Sequence, residues 1–190
     1  MKKYFSACLL LMICMILKSQ PLVLRNLGME SGLSNLLVTD IEKDQKGFIW
    51  VATEAGLNCF DGRRFRTFLK SNSNLSGNAL NALLFDKKEN RLWVGSKTGL
   101  SIMDRTTMKF ERIPALDSLN ISNIVSLSYS AAPDSNIWVA DHYYDIVLCH
   151  RQSGKVVTHL SAAKLKFPSS FRCVLDNGKG QLLSLIHISE

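Results

Sequence analysis

The densest set of reactive side chains in this 190-residue chain is Asp141-His142-Tyr143-Tyr144-Asp145. Two carboxylates, an imidazole and two phenol rings suit a polyhydroxylated ligand. The rings can stack on the apolar face of a sugar, and each carboxylate can accept a pair of hydroxyl hydrogen bonds. The bland alternative is a polar hairpin end in which a tyrosine packs over its neighbour. His142, His150 and His159 recur at spacings of 8 and 9. That puts them on separate strands with no shared acidic partner evident, a poor set for a metal. No His-Glu-x-x-His, Gly-x-Ser-x-Gly or phosphate-loop pattern occurs. With neither a convergent acid–base pair nor an activated nucleophile, the chain reads as a binding module without catalytic residues, metal or cofactor.

The elements that must carry those residues are repeated. Phe48-Ile49-Trp50-Val51-Ala52, Arg91-Leu92-Trp93-Val94-Gly95 and Asn136-Ile137-Trp138-Val139-Ala140 place their tryptophans 43 and 45 residues apart. Leu33-Ser34-Asn35, Leu75-Ser76-Gly77-Asn78 and Ile121-Ser122-Asn123 precede them by 16 or 17 residues. A period in the 40s with β-rich phrases and turn residues between is the signature of propeller blades. A repeat of this kind cannot bury its apolar face alone, so each unit needs neighbours.

The first unit shows how a blade is built. Leu36 to Glu42 reads as one strand, Asp44-Gln45-Lys46-Gly47 as a turn, and Phe48 to Thr53 as the second strand. Leu57 to Phe60 is the third, Asp61-Gly62 a tight hairpin, and Arg64 to Phe68 the fourth. Trp50, Trp93 and Trp138 sit at equivalent places on second strands, and their indoles are expected to wedge between neighbouring sheets. The alternative, a tryptophan platform stacking a sugar ring, fits their recurrence less well. Gly47, Gly56 and Gly99 complete the repeat core. The predicted fold is all-β, a partial β-propeller of four-stranded antiparallel blades over 34–68, 76–113 and 122–160, with an incomplete fourth over 168–182. The loops Thr53-Glu54-Ala55 and Ser96-Lys97-Thr98 are geometric counterparts of Asp141–Asp145 and weaker ligand candidates.

The ends of the chain differ from this core. Lys2 and Lys3, the apolar run Tyr4 to Leu17, and Ser19-Gln20-Pro21 predict a secretory signal helix over 1–19. Leu183 to Glu190 departs from the repeat where a tryptophan is due; it resembles adapter-derived sequence and is given no functional weight. The whole chain carries a formal charge of +7, and removing Lys2, Lys3 and Lys18 with the signal leaves +4. Its basic residues are scattered, with Arg63-Arg64-Phe65-Arg66 the densest group, which argues against a nucleic-acid surface. Cys59, Cys149 and Cys173 lie in apolar runs and are expected to be buried thiols; an odd count cannot pair fully within the chain.

The opening of the core carries a family resemblance. Gly32-Leu33-Ser34-Asn35, Val38-Thr39-Asp40-Ile41, Asp44 through Thr53 and Gly56 through Gly62 resemble the first blade of the two-component regulator propellers. These are extracytoplasmic sensors of hybrid histidine kinases in Bacteroidetes. The resemblance covers about residues 22–182 and is most specific in the first blade. It implies a periplasmic location, a homodimeric parent protein held in the inner membrane by a span outside this chain, and recognition of glycan-derived oligosaccharides. It further implies that the kinase of the parent passes the signal to transcription. A propeller scaffold for other proteins, or a secreted propeller lyase or hydrolase, stays open as an alternative, because fold does not determine function. Half a ring would also leave apolar blade faces exposed, an aggregation hazard.

Overall fold

The computed structural model describes residues 24–131, 136–143, 145–161, 164, 171–179 and 181–186. The predicted signal helix, Tyr144 and residues 187–190 lie outside them.

Three complete four-stranded antiparallel sheets follow one another along the chain. The first contains β1 (Val38–Lys43), β2 (Ile49–Thr53), β3 (Gly56–Phe60) and β4 (Phe65–Phe68). The second contains β5 (Leu80–Asp86), β6 (Arg91–Ser96), β7 (Gly99–Asp104) and β8 (Lys109–Arg112). The third contains β9 (Ile124–Tyr129), β10 (Ile137–Asp141), β11 (Ile146–Cys149) and β12 (Val156–Leu160). A fourth sheet pairs β13 (Phe171–Asp176) with β14 (Leu182–Ile186). Within each sheet the strands are ordered as in the sequence, and the first strands pack side by side, β1 on β5, β5 on β9, β9 on β13. That arrangement is the hub of a propeller, here partial, with three whole blades and the start of a fourth. Strand β14 takes in residues 183–186, which the sequence reading set outside the propeller.

The register explains why the tryptophan recurs. Trp50 lies between Glu42 and Cys59, Trp93 between Leu84 and Ile102, Trp138 between Ser128 and Leu148. Each therefore projects from the middle of its sheet onto the next blade. Trp50 joins Leu83, Phe85, Leu92 and Met103 in one apolar cluster, and Trp93 joins Ile124, Ile137, Val147 and Cys149 in a second. Both indoles are fully buried. Trp138 packs beside Val174 and Leu182 and is only half-buried, because two described strands cover less of it than four would. Phe68 ties the rims together, with ring centroids 5.9 Å from Trp50 and 5.6 Å from Phe110.

The turns obey local hydrogen-bond chemistry. The carboxylate of Asp44 accepts the N–H groups of Lys46 and Phe48, and that of Asp86 those of Lys88 and Glu89. Gly47 and Gly56 have φ of 87° and 130°, values a side chain resists; a Cβ on Gly56 would also fall 2.6 Å from Leu69. The hairpin expected at Asp61-Gly62 is wider than a two-residue turn. Phe60 pairs with Phe65, leaving four residues between them, and Asp61 accepts the N–H groups of Arg63 and Arg64. Two short helical pieces lie outside the strands: a 3-10 turn (Met29–Ser31) and the helix α1 (Pro114–Ser118), which seats Leu116 in the core between the second and third blades. Proline at its start supplies the φ a first helical turn needs.

Candidate ligand site at the loop end of the blades

Antiparallel order sends the β2–β3, β6–β7 and β10–β11 turns to one end of the sheets and the β1–β2 and β3–β4 turns, with their counterparts, to the other. The loop Asp141–Asp145 therefore shares an end with Thr53–Gly56 and Ser96–Gly99. It is one residue longer than either and lacks their glycine.

Asp141 closes β10 in the position that Thr53 holds in β2 and Ser96 in β6. All three side chains do the same work. Thr53 Oγ1 accepts the N–H of Ala55 at 3.1 Å and meets Ser34 Oγ at 2.9 Å. Ser96 Oγ accepts the N–H of Thr98 at 3.2 Å and meets Ser76 Oγ at 2.9 Å. The Asp141 carboxylate accepts the N–H of Tyr143 with one oxygen and that of Ser122 at 2.9 Å with the other. The recurrent Ser34, Ser76 and Ser122 are thus the partners that tie each blade's incoming segment to its second strand. Asp141 is 1% exposed, and burial pushes its carboxyl above the ordinary range despite the two N–H donors. Its oxygens are committed to the backbone.

His142 and Tyr143 stand outside. Both are exposed, with their rings edge to face at 5.4 Å, and the His142 N–H is anchored on the Asn123 carbonyl at 2.8 Å. Asp145 is half-buried, and its Oδ1 lies 3.1 Å from His159 Nε2 on β12. This pair joins residues 14 positions apart in sequence, Asp145 just before β11 and His159 on β12. Among the described residues neither His142 nor His150 shares it, so the three histidines have no common carboxylate there. Tyr144 lies outside the described residues. Nearby, Lys97 Nζ reaches Glu54 at 2.9 Å and links the corresponding loops of the first two blades. The loop end therefore offers an exposed imidazole and phenol beside a carboxylate–imidazole pair, on a scaffold whose turns are pinned.

No group of three or more His, Cys, Asp or Glu suited to a metal occurs among the described residues. His150 meets Ser153 in its own turn. Cys59 and Cys149 are buried free thiols, which burial pushes up to about 11 and about 12. Cys173, expected to be buried, is exposed, because the alternation along β13 turns Val174 inward instead. Among the described residues no helix is long and apolar enough to cross a membrane.

Residues 32–55 match the two-component regulator propeller family. That stretch runs from the segment before β1 to the turn after β2 of the first blade. A stretch of 66 residues is 39% identical to Histidine kinase P4 of Formosa agariphila, covering 34% of this chain and 5% of that protein. Among solved structures, the extracellular domain of BT3049 from B. thetaiotaomicron, described as a hybrid two component system, superposes with a TM-score of 0.74 at 30% identity. That match covers 84% of this chain and 23% of the other. The extracellular domain of BT4673 from the same organism, described as a one component system, gives a TM-score of 0.65 at 20% identity over 87% of this chain and 21% of that one, a likeness of fold. The chain thus spans less than a quarter of the domains it resembles. It is a partial propeller similar to part of the extracellular domain of the hybrid two component system BT3049.

Proposed function

We propose that this regulator propeller segment belongs to the periplasmic sensing domain of a hybrid sensor histidine kinase, and that the domain recognises an oligosaccharide derived from a glycan. In this reading residues 1–19 direct export, and the parent protein dimerises, anchors in the inner membrane and holds the kinase. The propeller itself performs no chemistry. One observation carries the reading: 30% identity across 84% of the chain to the extracellular domain of BT3049. The physical case is a rigid array of blades presenting variable loops, where binding residues concentrate. Tyr143 supplies a ring face and His142 a hydrogen-bonding edge, while Asp141 holds the turn that displays them. Ligand contact at this end would be passed on as a change in how two protomers pack, biasing the kinase.

Calorimetric titration of the complete ectodomain with a panel of oligosaccharides tests the reading. Binding of at least one, weakened by Tyr143→Ala, is the expected result. Absence of binding to every oligosaccharide, together with turnover of some substrate, would overturn it.

A further inference from the structure

At the outer rim of the first two blades, Phe68 of β4 and Phe110 of β8 stand in ring contact and line an open groove. The groove measures about 550 Å3, with Arg66 on one wall, Lys109 on the other, and Asn72, Ser73 and Asn74 of the connecting segment at one end. A cavity of about 270 Å3 adjoins it, sharing Arg66 and Met108 and adding Arg64 and Arg105. The trough is cationic. Neither Arg66 nor Lys109 has an acidic partner among the described residues. Of the acids beside the adjoining cavity, Asp44 is committed to Arg105 and Asp61 to two turn N–H groups and, at 4.0 Å, to Arg64.

Two observations separate this feature from ordinary surface charge. The Arg66 guanidinium lies over the Phe68 ring at 4.8 Å, a cation–π contact that holds its orientation before any ligand arrives. The repeat itself supplies the second. Arg66 stands opposite Cys59, whereas the same register position holds Glu111 opposite Ile102 in the second blade and Thr158 opposite Leu148 in the third. A blade does not need a cation there. The Asn72-Ser73-Asn74 segment is equally particular to this interface, since the corresponding connection after the second blade is built from α1.

We propose that this rim groove binds an anionic saccharide, one bearing carboxylate or sulfate groups, with Arg66 and Lys109 gripping it from adjacent blades. Arginine suits the bidentate geometry of both anions, and lysine serves as a point charge. The groove lies at the rim rather than among the β10–β11 loop residues, so it stands or falls apart from the proposed sensing at the loop end.

The experiment is a titration of the complete ectodomain with oligogalacturonate, a sulfated oligosaccharide, and a neutral oligosaccharide of equal length, at low and high salt. Arg66→Glu/Lys109→Glu is expected to weaken binding of at least one anionic ligand about tenfold or more and to leave the neutral one unchanged. Salt is expected to weaken the anionic interaction, and Tyr143→Ala to spare it. Both substituted residues are exposed, and thermal melts with the milder Arg66→Gln/Lys109→Gln pair guard against loss of fold. Unchanged anionic affinity in both pairs would overturn the assignment, as would equal binding of neutral and anionic ligands. Inorganic sulfate competing as well as the oligosaccharides would reduce the site to an anion spot and equally overturn it.

Discussion

Arg105 in the turn after the third strand of the second blade donates through Nε to the buried carboxylate of Asp44 in the first, at 2.6 Å. The same carboxylate oxygen accepts the indole N–H of Trp50 at 3.1 Å, and the guanidinium lies over both Phe48 and Trp50. One interface later, Arg151 clasps Asp86 with two donors, Nε at 2.6 Å and an Nη, and lies over Tyr129. The second and third blades thus each fasten the turn of the blade before. Breaking a buried pair strands a charge, at a cost of about 3–5 kcal/mol. Arg105→Ala is therefore expected to lower unfolding free energy by that order in urea denaturation, and far more than Arg63→Ala in an exposed turn.

The clasp should show in the pH dependence of stability. Burial alone would raise the Asp44 carboxyl, but the hydrogen bonds from Arg105, Trp50 and Phe48 outweigh it and hold the group below its usual range. A depressed folded-state value contributes stability that is present above the unfolded value of about 3.9 and is lost as pH falls through the folded one. The stability gap between the wild-type chain and Asp44→Asn is expected to narrow on acidification below about pH 4. A gap constant down to pH 2, read by denaturation at each pH, would refute the assignment.

Equivalent tryptophans should respond unequally to the same substitution. Trp50 donates its indole N–H to Asp44, whereas the buried Nε1 of Trp93 has no hydrogen-bond partner among the described residues. Trp→Phe leaves similar packing defects at both, but only at position 50 does it remove a bond to a charged group. Trp50→Phe is expected to cost about 1.5–3 kcal/mol more than Trp93→Phe, measured by paired denaturation curves.

Asp141 is expected to tolerate serine and not alanine. Serine at position 96 already accepts the equivalent turn N–H and meets the hydroxyl of the recurrent serine, and replacing the carboxylate relieves a buried charge. Asp141→Ala removes the acceptor and should cost about 1 kcal/mol or more. Thermal melts of the two variants distinguish this from a ligand-contacting role, in which both would leave stability unchanged.

The outer face of the first blade exposes Leu36, Leu37 and Ile41 at 68%, 59% and 58%. Val38, Ile49, Val51 and Phe60 line an apolar hollow of about 310 Å3 beside them. Surface of this kind drives association. The chain is expected to sediment as oligomers, and Ile41→Lys to shift it toward monomer.

Much of this architecture could be read from spacing. The tryptophan period, the turn aspartates and the strand boundaries follow from residues that act within one blade, where each partner lies only a few positions away along the chain or across a hairpin. The site was less legible. Asp141 was read as a ligand contact, although Thr53, Ser96 and Asp141 are spaced by 43 and 45 residues, the same period as the tryptophans, and that was the available signal for a structural role. The Asp145–His159 pair and the exposure of Cys173 depend on which face of a strand turns outward, which a short apolar run does not reveal.

From its amino acids alone the chain determines a repeating unit, because a period near 43 residues forces each copy into the same strands, turns and apolar wedge. Tertiary structure alone decided which charges are locked between blades and which stand free. Asp44 and Arg105 are 61 residues apart, and in isolation each is an ordinary turn residue. Only when two sheets pack face to face does water leave the space between them and make that pair a fastening, while Arg66, at the open rim, keeps its charge available.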